Sequence, residues 1–315
     1  MSTTKSIDIE LLRAMPLPVP KGETDKNSRG RVVVVGGSRR VPGAVVLCGM
    51  AALRVGAGKI QLAMPGSLAI AVGLTVLEAG VCALHETSEG EPLAGDELKS
   101  MARQADAVLV GPGIMSQEAA HHVLLNLLSE VIGPVYVIDA LALCGLWDRA
   151  DVLRAHAGRV ILTPHAGEMA QLMGVSKAEV AADSLGKARE AAAHLSSIVV
   201  LKGATTLVVT PSGLAYCHAE GVVGLATAGS GDVLAGIIAG IVSRRVPPAV
   251  AAVWAVFLHG RAGQQLTQTV GKLGFIAREV TEQLPALMES LESSSGSVSE
   301  ALQVETVAST VPDSG

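Results

Sequence analysis

The sequence predicts an α/β fold of three layers, in which helices cover both faces of a mostly parallel central sheet. Short apolar runs such as RVVVVGG (Arg31–Gly37) alternate with helical stretches such as Gly43–Gly58, an alternation typical of βαβ units. Strands that read as continuous apolar runs are buried on both faces, so helices are expected on each side. Hydrophobic residues make up 49% of the 315 residues and aromatic residues only 2%, so the layers must pack through aliphatic side chains.

The remaining elements are predicted in chain order from the same alternation. Strands are expected at KIQLAMP, at DAVLVG from Asp106, at PVYVID from Pro134, at RVILT from Arg159 and at IVVLKG from Ile198. Helices are expected from about Ser116 to Glu130, in two stretches that reach His194, after Gly229, and from about Pro248 to Gln268. The segments TLVVT and LAYCH flank the turn residues Pro211, Ser212 and Gly213, which predicts a β-hairpin.

Composition changes mark three parts of the chain. Residues 1–25 read as an N-terminal segment and residues 26–288 as one domain. Residues 289–315 include the Ser-rich stretch SLESSSGSVSE, which is too polar to pack, and are expected to form a disordered tail.

Charge and apolar patterning exclude several classes of protein. A formal charge of -5 argues against a nucleic-acid partner, which would need a basic patch. The N-terminus lacks the pattern of a secretory signal, and the apolar run Val233–Val242 is shorter than the ~20 residues of a membrane span, so no membrane association is expected. Cys48, Cys82, Cys144 and Cys217 form no close pair, which favours a reduced, cytoplasmic location. The scarcity of charge predicts a homo-oligomer, with a tetramer favoured.

Four predicted strand ends carry candidate binding chemistry. They are GGSRRVPGA after the first strand, GPG at Gly111–Gly113, TPHAGE at Thr163–Glu168 and LKGATT at Leu201–Thr206. Each has a plain structural explanation: glycine-rich turns, a helix start at His165 capped by Thr163, and a solvated lysine at Lys202. Because ligands bind at the carboxyl ends of parallel strands, the four together predict a nucleotide and substrate cleft.

The stretch TAGSGDVLAGIIAG (Thr227–Gly240) places an acid, Asp232, between two glycines and an apolar helix. One interpretation is that Asp232 stabilises the first turn of the helix, where acids meet unpaired N–H groups. The other is chemical, because a Gly-x-Gly turn into a helix presents backbone donors to phosphate and an acid there would face the acceptor group.

The order of these motifs carries a resemblance to a known family. GGS-x4-GA, GPG, VIDALAL, ILTPHAGEM, VLKGATTLVVTPSG and GLATAGSGDVLAGIIAG, followed by AVFLHGRAG, closely resemble the ADP- or ATP-dependent NAD(P)H-hydrate dehydratases from about Lys26 to about Leu284. The resemblance implies a ribokinase-like fold and a lyase of nicotinamide nucleotide repair. Such an enzyme uses ADP to dehydrate the S-epimer of hydrated NADH or NADPH and releases AMP and phosphate.

The resemblance also implies residue roles. Asp232 is the expected catalytic base, and the backbone around Gly229 and Gly231 is expected to hold the transferred phosphate. The other implied contacts are, for the nucleotide, Lys202, Gly203, Ala204, Thr205, Thr206 and Gly231, and, for the hydrated cofactor, Ala44, Gly113, His165 and Asp232. ADP is the expected co-substrate, with ATP as the alternative, and Mg²⁺ is implied with the phosphates although no metal-ligand cluster of the protein's own is visible.

The chain departs from the family pattern at two places. The family usually carries a second acid where this chain has Leu141, and an asparagine and proline where it has Val222, Val223 and Gly224. These departures keep open a nucleotide-binding protein without turnover. A small-molecule kinase of the same fold that phosphorylates a vitamin precursor also stays open, because it uses the same Gly-x-Gly-Asp chemistry. About 30 residues precede the first predicted strand, too few for a fused epimerase domain, so action on one epimer is expected.

Overall fold

A ten-stranded sheet forms the middle layer of the computed structural model, which describes residues 4–18 and 29–291. The strands are β1 (Lys5–Ser6), β2 (Arg31–Val35), β3 (Lys59–Pro65), β4 (Ala79–Leu84), β5 (Ala107–Val110), β6 (Val135–Ile138), β7 (Val160–Leu162), β8 (Ile198–Leu201), β9 (Thr206–Val209) and β10 (Ala215–His218). Their order across the sheet is β1-β10-β9-β8-β7-β6-β5-β2-β3-β4. All neighbouring pairs are parallel except the two that involve β9, which runs antiparallel to β8 and β10.

Helices cover both faces of the sheet. They are α1 (Ile9–Ala14), α2 (Gly43–Arg54), α3 (Gly66–Gly73), α4 (Asp96–Arg103), α5 (Gln117–Glu130), α6 (Ala150–Arg154), α7 (Ala166–Met173), α8 (Lys177–Ala182), α9 (Ser184–His194), α10 (Ser230–Ser243), α11 (Pro248–Thr269) and α12 (277–291). Short 3-10 turns span Ala140–Leu143, Leu146–Arg149 and Val223–Leu225. None of the helices in residues 4–18 and 29–291 is long and apolar enough to cross a membrane.

Two hydrophobic cores, one on each face, explain the continuous apolar strands. In β2 the side chains of Val32 and Val34 belong to the core that includes residues of α2, α10 and α11, whereas those of Val33 and Val35 belong to the core on the opposite face, which includes residues of α5 and α7. All four valines are at most 1% exposed, and burying each side chain contributes ~1.5–3 kcal/mol. The predicted three-layer α/β/α fold with a mostly parallel sheet is confirmed.

The N-terminal segment joins the same sheet. Strand β1 pairs with β10 through Lys5 and Tyr216, and Leu12 of α1 is buried in the core. The indole N–H of Trp254 donates to the carbonyl oxygen of Met15 at 2.7 Å. Residues 4–18 therefore pack against the domain that follows them.

Most predicted elements are present, and the differences have local causes. The two helical stretches expected before His194 are three helices, because Asp183 ends α8 and its side chain accepts from the N–H of Gly186 to begin α9. Helix α12 continues to residue 291, where Leu291 packs against the core, so 289–291 are helical rather than part of a tail. The rest of the predicted tail, 292–315, lies outside the described residues.

Candidate active site

The loops after neighbouring parallel strands contact one another at one edge of the sheet. The N–H of Gly37, after β2, donates to the carbonyl of Pro112, after β5, at 2.7 Å. The hydroxyl of Thr163, after β7, donates to Asp139 Oδ1, after β6, at 2.7 Å. The N–H of Lys202, after β8, donates to the carbonyl of Pro164 at 2.8 Å. The four sequence motifs at strand ends therefore line one continuous edge, as predicted.

A buried lysine holds two carboxylates at this edge. Lys202 Nζ lies 2.8 Å from Asp139 Oδ1 and 3.6 Å from Glu168 Oε2. The side chains are only 17%, 4% and 16% exposed, so solvent screens these charges weakly. Burial by itself would lower the pKa of Lys202, but the charges of Asp139 and Glu168 outweigh it and raise that pKa, which keeps the lysine protonated.

Asp232 stands in the first turn of α10, beside this cluster. Burial, with a further contribution from the charge of Asp139, raises the pKa of Asp232 to about 7, while Lys202 acts in the opposite direction. A carboxyl group that titrates near neutral pH can accept a proton and release it again, as general acid–base catalysis requires. The chemical interpretation of this acid is therefore supported by its surroundings.

The turn that leads into α10 is shaped for an anion. Gly229 has φ of +85°, a conformation that strains any residue with a side chain, and a Cβ there would also crowd Leu47 Cδ1 at 2.5 Å. No side chain caps this helix, and the N–H of Ser230 donates to the carbonyl of Thr227 at 3.2 Å, which leaves the N–H groups of Gly231 and Asp232 available to a ligand. A Cβ on Gly231 would lie 3.4 Å from Lys202 Nζ, so the turn and the ammonium group face the same space. We call residues 227–232 the anion loop.

A cavity of about 650 Å³ opens beside the anion loop. Its volume is in the range of pockets that bind small molecules and cofactors. The predicted site residues that line it are His165, Lys202, Gly203, Ala204, Thr206 and Gly231. Apolar side chains, among them Val222, Leu225 and Leu234, form much of the remaining wall. Thr205, Gly229 and Asp232 adjoin these residues in the chain but do not line the cavity itself.

Ala44 and Gly113 form a second group, which does not line the cavity. A Cβ on Gly113, whose φ is +74°, would lie 2.9 Å from the Cβ of Ala44. Ala44 lies one turn of α2 before Cys48, whose thiol donates to the carbonyl of Asp232 at 3.2 Å. Asp232 thus contacts the helix that carries Ala44 and follows Gly231 of the cavity wall, whereas His165 itself lines the cavity.

His165 caps helix α7. Its Nδ1 accepts from the N–H groups of Gly167 and Glu168 at 3.0 and 3.1 Å, and Glu168 Oε2 accepts from the N–H of His165 at 2.8 Å. The expectation that Thr163 would be the cap is wrong, because that hydroxyl is buried and bonds to Asp139. The ring of His165 is 58% exposed and also lines the cavity, so capping and ligand contact are compatible.

Replacing His165 separates its two roles. His165→Asn is expected to retain the cap and the melting temperature, because asparagine is a good N-cap, but to raise about 10-fold the KM for the ligand that the exposed ring contacts, ADP or hydrated cofactor, as one hydrogen bond is lost. His165→Ala should show the same KM change with an added loss of ~1 kcal/mol in the free energy of unfolding. A normal KM in His165→Asn would restrict His165 to capping.

Several functional residues were not among the sequence predictions. Asp139 and Glu168 were read only as a family position and a first-turn acid, yet both pair with Lys202. His259 of α11 contacts Ser230, and no sequence signal shows which side of α11 faces the loop.

The positions that depart from the family pattern lie in two places. Leu141 lies in the 3-10 turn after β6, and Val222 and Val223 line the cavity.

The carboxylates near the anion loop determine how Mg²⁺ would bind. Within residues 4–18 and 29–291, no group of three or more His, Cys, Asp and Glu side chains is arranged to hold a metal ion. Asp139 has the closer contact to Lys202, at 2.8 Å, whereas Glu168 lies 3.6 Å from that lysine, so Glu168 and Asp232 are the acids of the site with an oxygen atom left to offer. Mg²⁺ keeps several waters and is often held by substrate phosphates with one or two carboxylates, so these residues fit an ion that arrives with a nucleotide.

Comparison with known proteins identifies a family model and solved structures that are similar to this chain. A family model described as NAD(P)H-hydrate dehydratase matches residues 32–286. The fold is similar to that of a ribokinase-like superfamily protein from Enterococcus faecalis (TM-score 0.78, 26% identity, 91% of this chain and 96% of the other). It is also similar to an ADP/ATP-dependent NAD(P)H-hydrate dehydratase from Bacillus subtilis co-crystallised with ATP and Mg²⁺ (TM-score 0.77, 27% identity, 91% of this chain and 99% of the other). The predicted ribokinase-like fold is confirmed.

A curated relative is similar over nearly the whole chain. The ADP-dependent (S)-NAD(P)H-hydrate dehydratase of Xanthomonas campestris pv. campestris is 44% identical over 91% of this chain and 97% of its own length. The chain spans about half the length of the bifunctional NAD(P)H-hydrate repair enzymes that it also matches. The family model matches from β2 into α12, and the Xanthomonas relative is similar over nearly its whole length. This chain therefore belongs to the NAD(P)H-hydrate dehydratase family.

Proposed function

We propose that this protein uses ADP to dehydrate the S-epimer of hydrated NADH or NADPH, restoring NADH or NADPH and releasing AMP and phosphate. The observation that carries the proposal is the position of Asp232. Its carboxyl group, with a pKa near 7, belongs to the anion loop, which adjoins a nucleotide-sized cavity through Gly231 and contacts helix α2, the helix of Ala44, through Cys48. The resemblance to dehydratases named for ADP supports the choice of nucleotide.

The chemistry must turn a poor leaving group into a good one. Asp232 accepts the proton of the ring hydroxyl, whose oxygen then forms a bond to the terminal phosphorus of ADP while the bond to AMP breaks. Backbone N–H groups of the anion loop and the ammonium group of Lys202 stabilise the charge on the transferred phosphoryl group. The carbon–oxygen bond then breaks toward phosphate as the ring nitrogen supplies its electron pair, and the adjacent ring carbon loses a proton to the departing phosphate, which forms the ring double bond of NADH or NADPH.

Mg²⁺ has a supporting role in this proposal. When it is bound with the nucleotide phosphates, it neutralises part of their charge, and Glu168 and Asp232 are the carboxylates that would hold its water shell. The residues of the chain keep the tasks of binding, orientation and proton transfer.

One assay distinguishes the proposal from its alternatives. The purified protein is mixed with chemically hydrated NADH, Mg²⁺ and either ADP or ATP, and the absorbance of NADH and free inorganic phosphate are followed together. The expected result is equal amounts of NADH and phosphate, with faster turnover on ADP than on ATP. A small-molecule kinase would leave the phosphate on its product, and a binding protein would bind ADP without releasing phosphate.

We also propose a cytoplasmic homo-oligomer. Cys48, Cys82, Cys144 and Cys217 are all free, as suits a reducing compartment. Helix α3 and the turn after it expose large apolar side chains beside β4, the outermost strand of the sheet, and a second copy of the chain would cover them. A tetramer with two-fold axes needs two kinds of interface, and this apolar surface would supply one.

The oligomer can be tested on that surface. Leu74 and Leu77 are 73% and 79% exposed, so Leu74→Glu with Leu77→Glu is expected to reduce the mass measured by light scattering from four chains to two or fewer. Ile132→Glu is the matched control, since Ile132 is 66% exposed between α5 and β6 and not on α3 or the turn after it. An unchanged mass in the double variant would contradict the placement of the interface.

A further inference from the structure

One buried contact to the anion loop remains without a role in the chemistry above. His259, on α11, reaches across to the first residue of α10, where its Nε2 lies 2.9 Å from Ser230 Oγ and 3.1 Å from the Ser230 carbonyl oxygen. Both His259 and Ser230 line the cavity, next to Gly231. The contact therefore joins α11 to the residue at the centre of the anion loop.

The two distances decide which nitrogen carries the proton. A carbonyl oxygen can only accept a hydrogen bond, so Nε2 must be the donor at 3.1 Å. If Nε2 were unprotonated, its lone pair would face the lone pairs of the carbonyl oxygen, and that contact would be repulsive. The same Nε2–H also faces Ser230 Oγ, so that oxygen accepts from the ring and its own hydroxyl proton is left to donate elsewhere.

The charge of the imidazole is consistent with this arrangement. Burial lowers the pKa of His259 to about 4, so the ring is neutral at physiological pH. A neutral ring keeps one N–H and adds no positive charge beside Asp232. Lys202 then remains the cation that faces the anion loop among the described residues that line the cavity.

We propose that His259 is a positioning residue that holds the Ser230 hydroxyl with its proton directed into the cavity, where Ser230 donates to a phosphate oxygen of the bound nucleotide. The inference rests on the proposed function only in taking the ligand to be a nucleoside diphosphate or triphosphate. Ser230 adds a side-chain donor to the backbone N–H groups of the loop, and His259 keeps that donor from turning toward the helix backbone.

The test is a double-mutant cycle on ADP binding, measured by titration calorimetry without hydrated cofactor. Ser230→Ala and His259→Leu are each expected to weaken ADP binding about 10-fold, the size of one hydrogen bond to a charged group. The double variant should bind about as weakly as the weaker single variant, because both changes remove the same donor. His259→Gln, which keeps an N–H donor, should recover most of the affinity.

His156→Leu is the matched control. The ring of His156 is buried, and its Nε2 contacts the Leu128 carbonyl oxygen at 2.8 Å on the other face of the sheet. Its loss should lower the melting temperature and leave ADP affinity unchanged. Three results would each overturn the proposal. The first is an ADP affinity within twofold of wild type in a folded His259→Leu, and the second is effects that multiply in the double variant. The third is a wild-type protein that binds neither ADP nor ATP. Intact ADP binding with no NADH formed would instead count against the dehydratase function alone.

Discussion

Asp232→Asn is expected to lower the turnover of hydrated NADH by about 10²- to 10⁴-fold, the range of general-base effects, in a protein that still folds and binds ADP. The amide cannot accept the hydroxyl proton, whereas the geometry of the first turn of α10 is retained. If Asp232 only stabilised the helix, asparagine would lose the charge–dipole contribution of ~0.3–1 kcal/mol and little else. Steady-state release of phosphate and recovery of NADH absorbance measure the difference.

The exposed end of α1 offers a matched control. Asp8 is exposed, caps this helix by accepting from the N–H of Leu11 at 2.9 Å, and is not among the residues that line the cavity. Asp8→Asn makes the same chemical change and should leave turnover unchanged. A turnover above about a tenth of wild type in Asp232→Asn would exclude the assignment as general base, given the size of such effects.

The same substitution has a second, pH-dependent readout in stability. The folded-state pKa of Asp232, about 7, is raised from an ordinary value of 3.8, so folding is penalised when the carboxyl group must ionise. The penalty is absent below pH 3.8, grows as the pH rises, and is complete above about 7. Asp232→Asn should therefore raise the melting temperature at pH 8 and have little effect near pH 4, whereas an equal change at both would contradict the burial of an ionisable acid.

The fold was predictable where one residue pattern determined one element. Continuous apolar runs such as that of β2 indicated strands buried on both faces, and the turn at Pro211–Gly213 indicated the hairpin. Strand β4 was missed because it is one of the two edge strands: Gly80, Val81 and Ala83 are exposed, and its short sequence AGVCAL has no polar residue to mark the exposed face. Helix α3 follows β3 directly after Pro65, without a polar cap to mark its start.

The active site was predictable as a set of strand ends but not as a set of contacts. Lys202 pairs with Asp139, which is 63 positions away in the chain, because β6, β7 and β8 are neighbours in the sheet. Local sequence does not specify the order of the strands, so the sequence was equally compatible with a solvated Lys202. Likewise, the contact of His259 with Ser230 depends on how α11 packs against α10, which no local pattern reveals.

The pairing of Lys202 with Asp139 leads to the second large effect. Lys202→Met is expected to weaken ADP binding by about 10- to 100-fold, because a charge-assisted contact to phosphate is lost. The positive charge of Lys202 also lowers the pKa of Asp232, so its removal should move the rising limb of the pH–rate profile to higher pH. Lys202→Arg, which keeps the charge, is expected to retain the position of that limb.

Stability needs a separate control in this experiment, since removing Lys202 leaves Asp139 buried and only 4% exposed without its counter-ion. Breaking such a pair costs ~3–5 kcal/mol, so Lys202→Met should melt at a lower temperature. Adding Asp139→Asn removes the uncompensated charge and should restore the melting temperature while ADP binding stays weak. It also removes a charge that raises the pKa of Asp232, so in the double variant the limb should return toward lower pH. A pH–rate profile in Lys202→Met that coincides with that of the wild type would show that Lys202 does not act on Asp232.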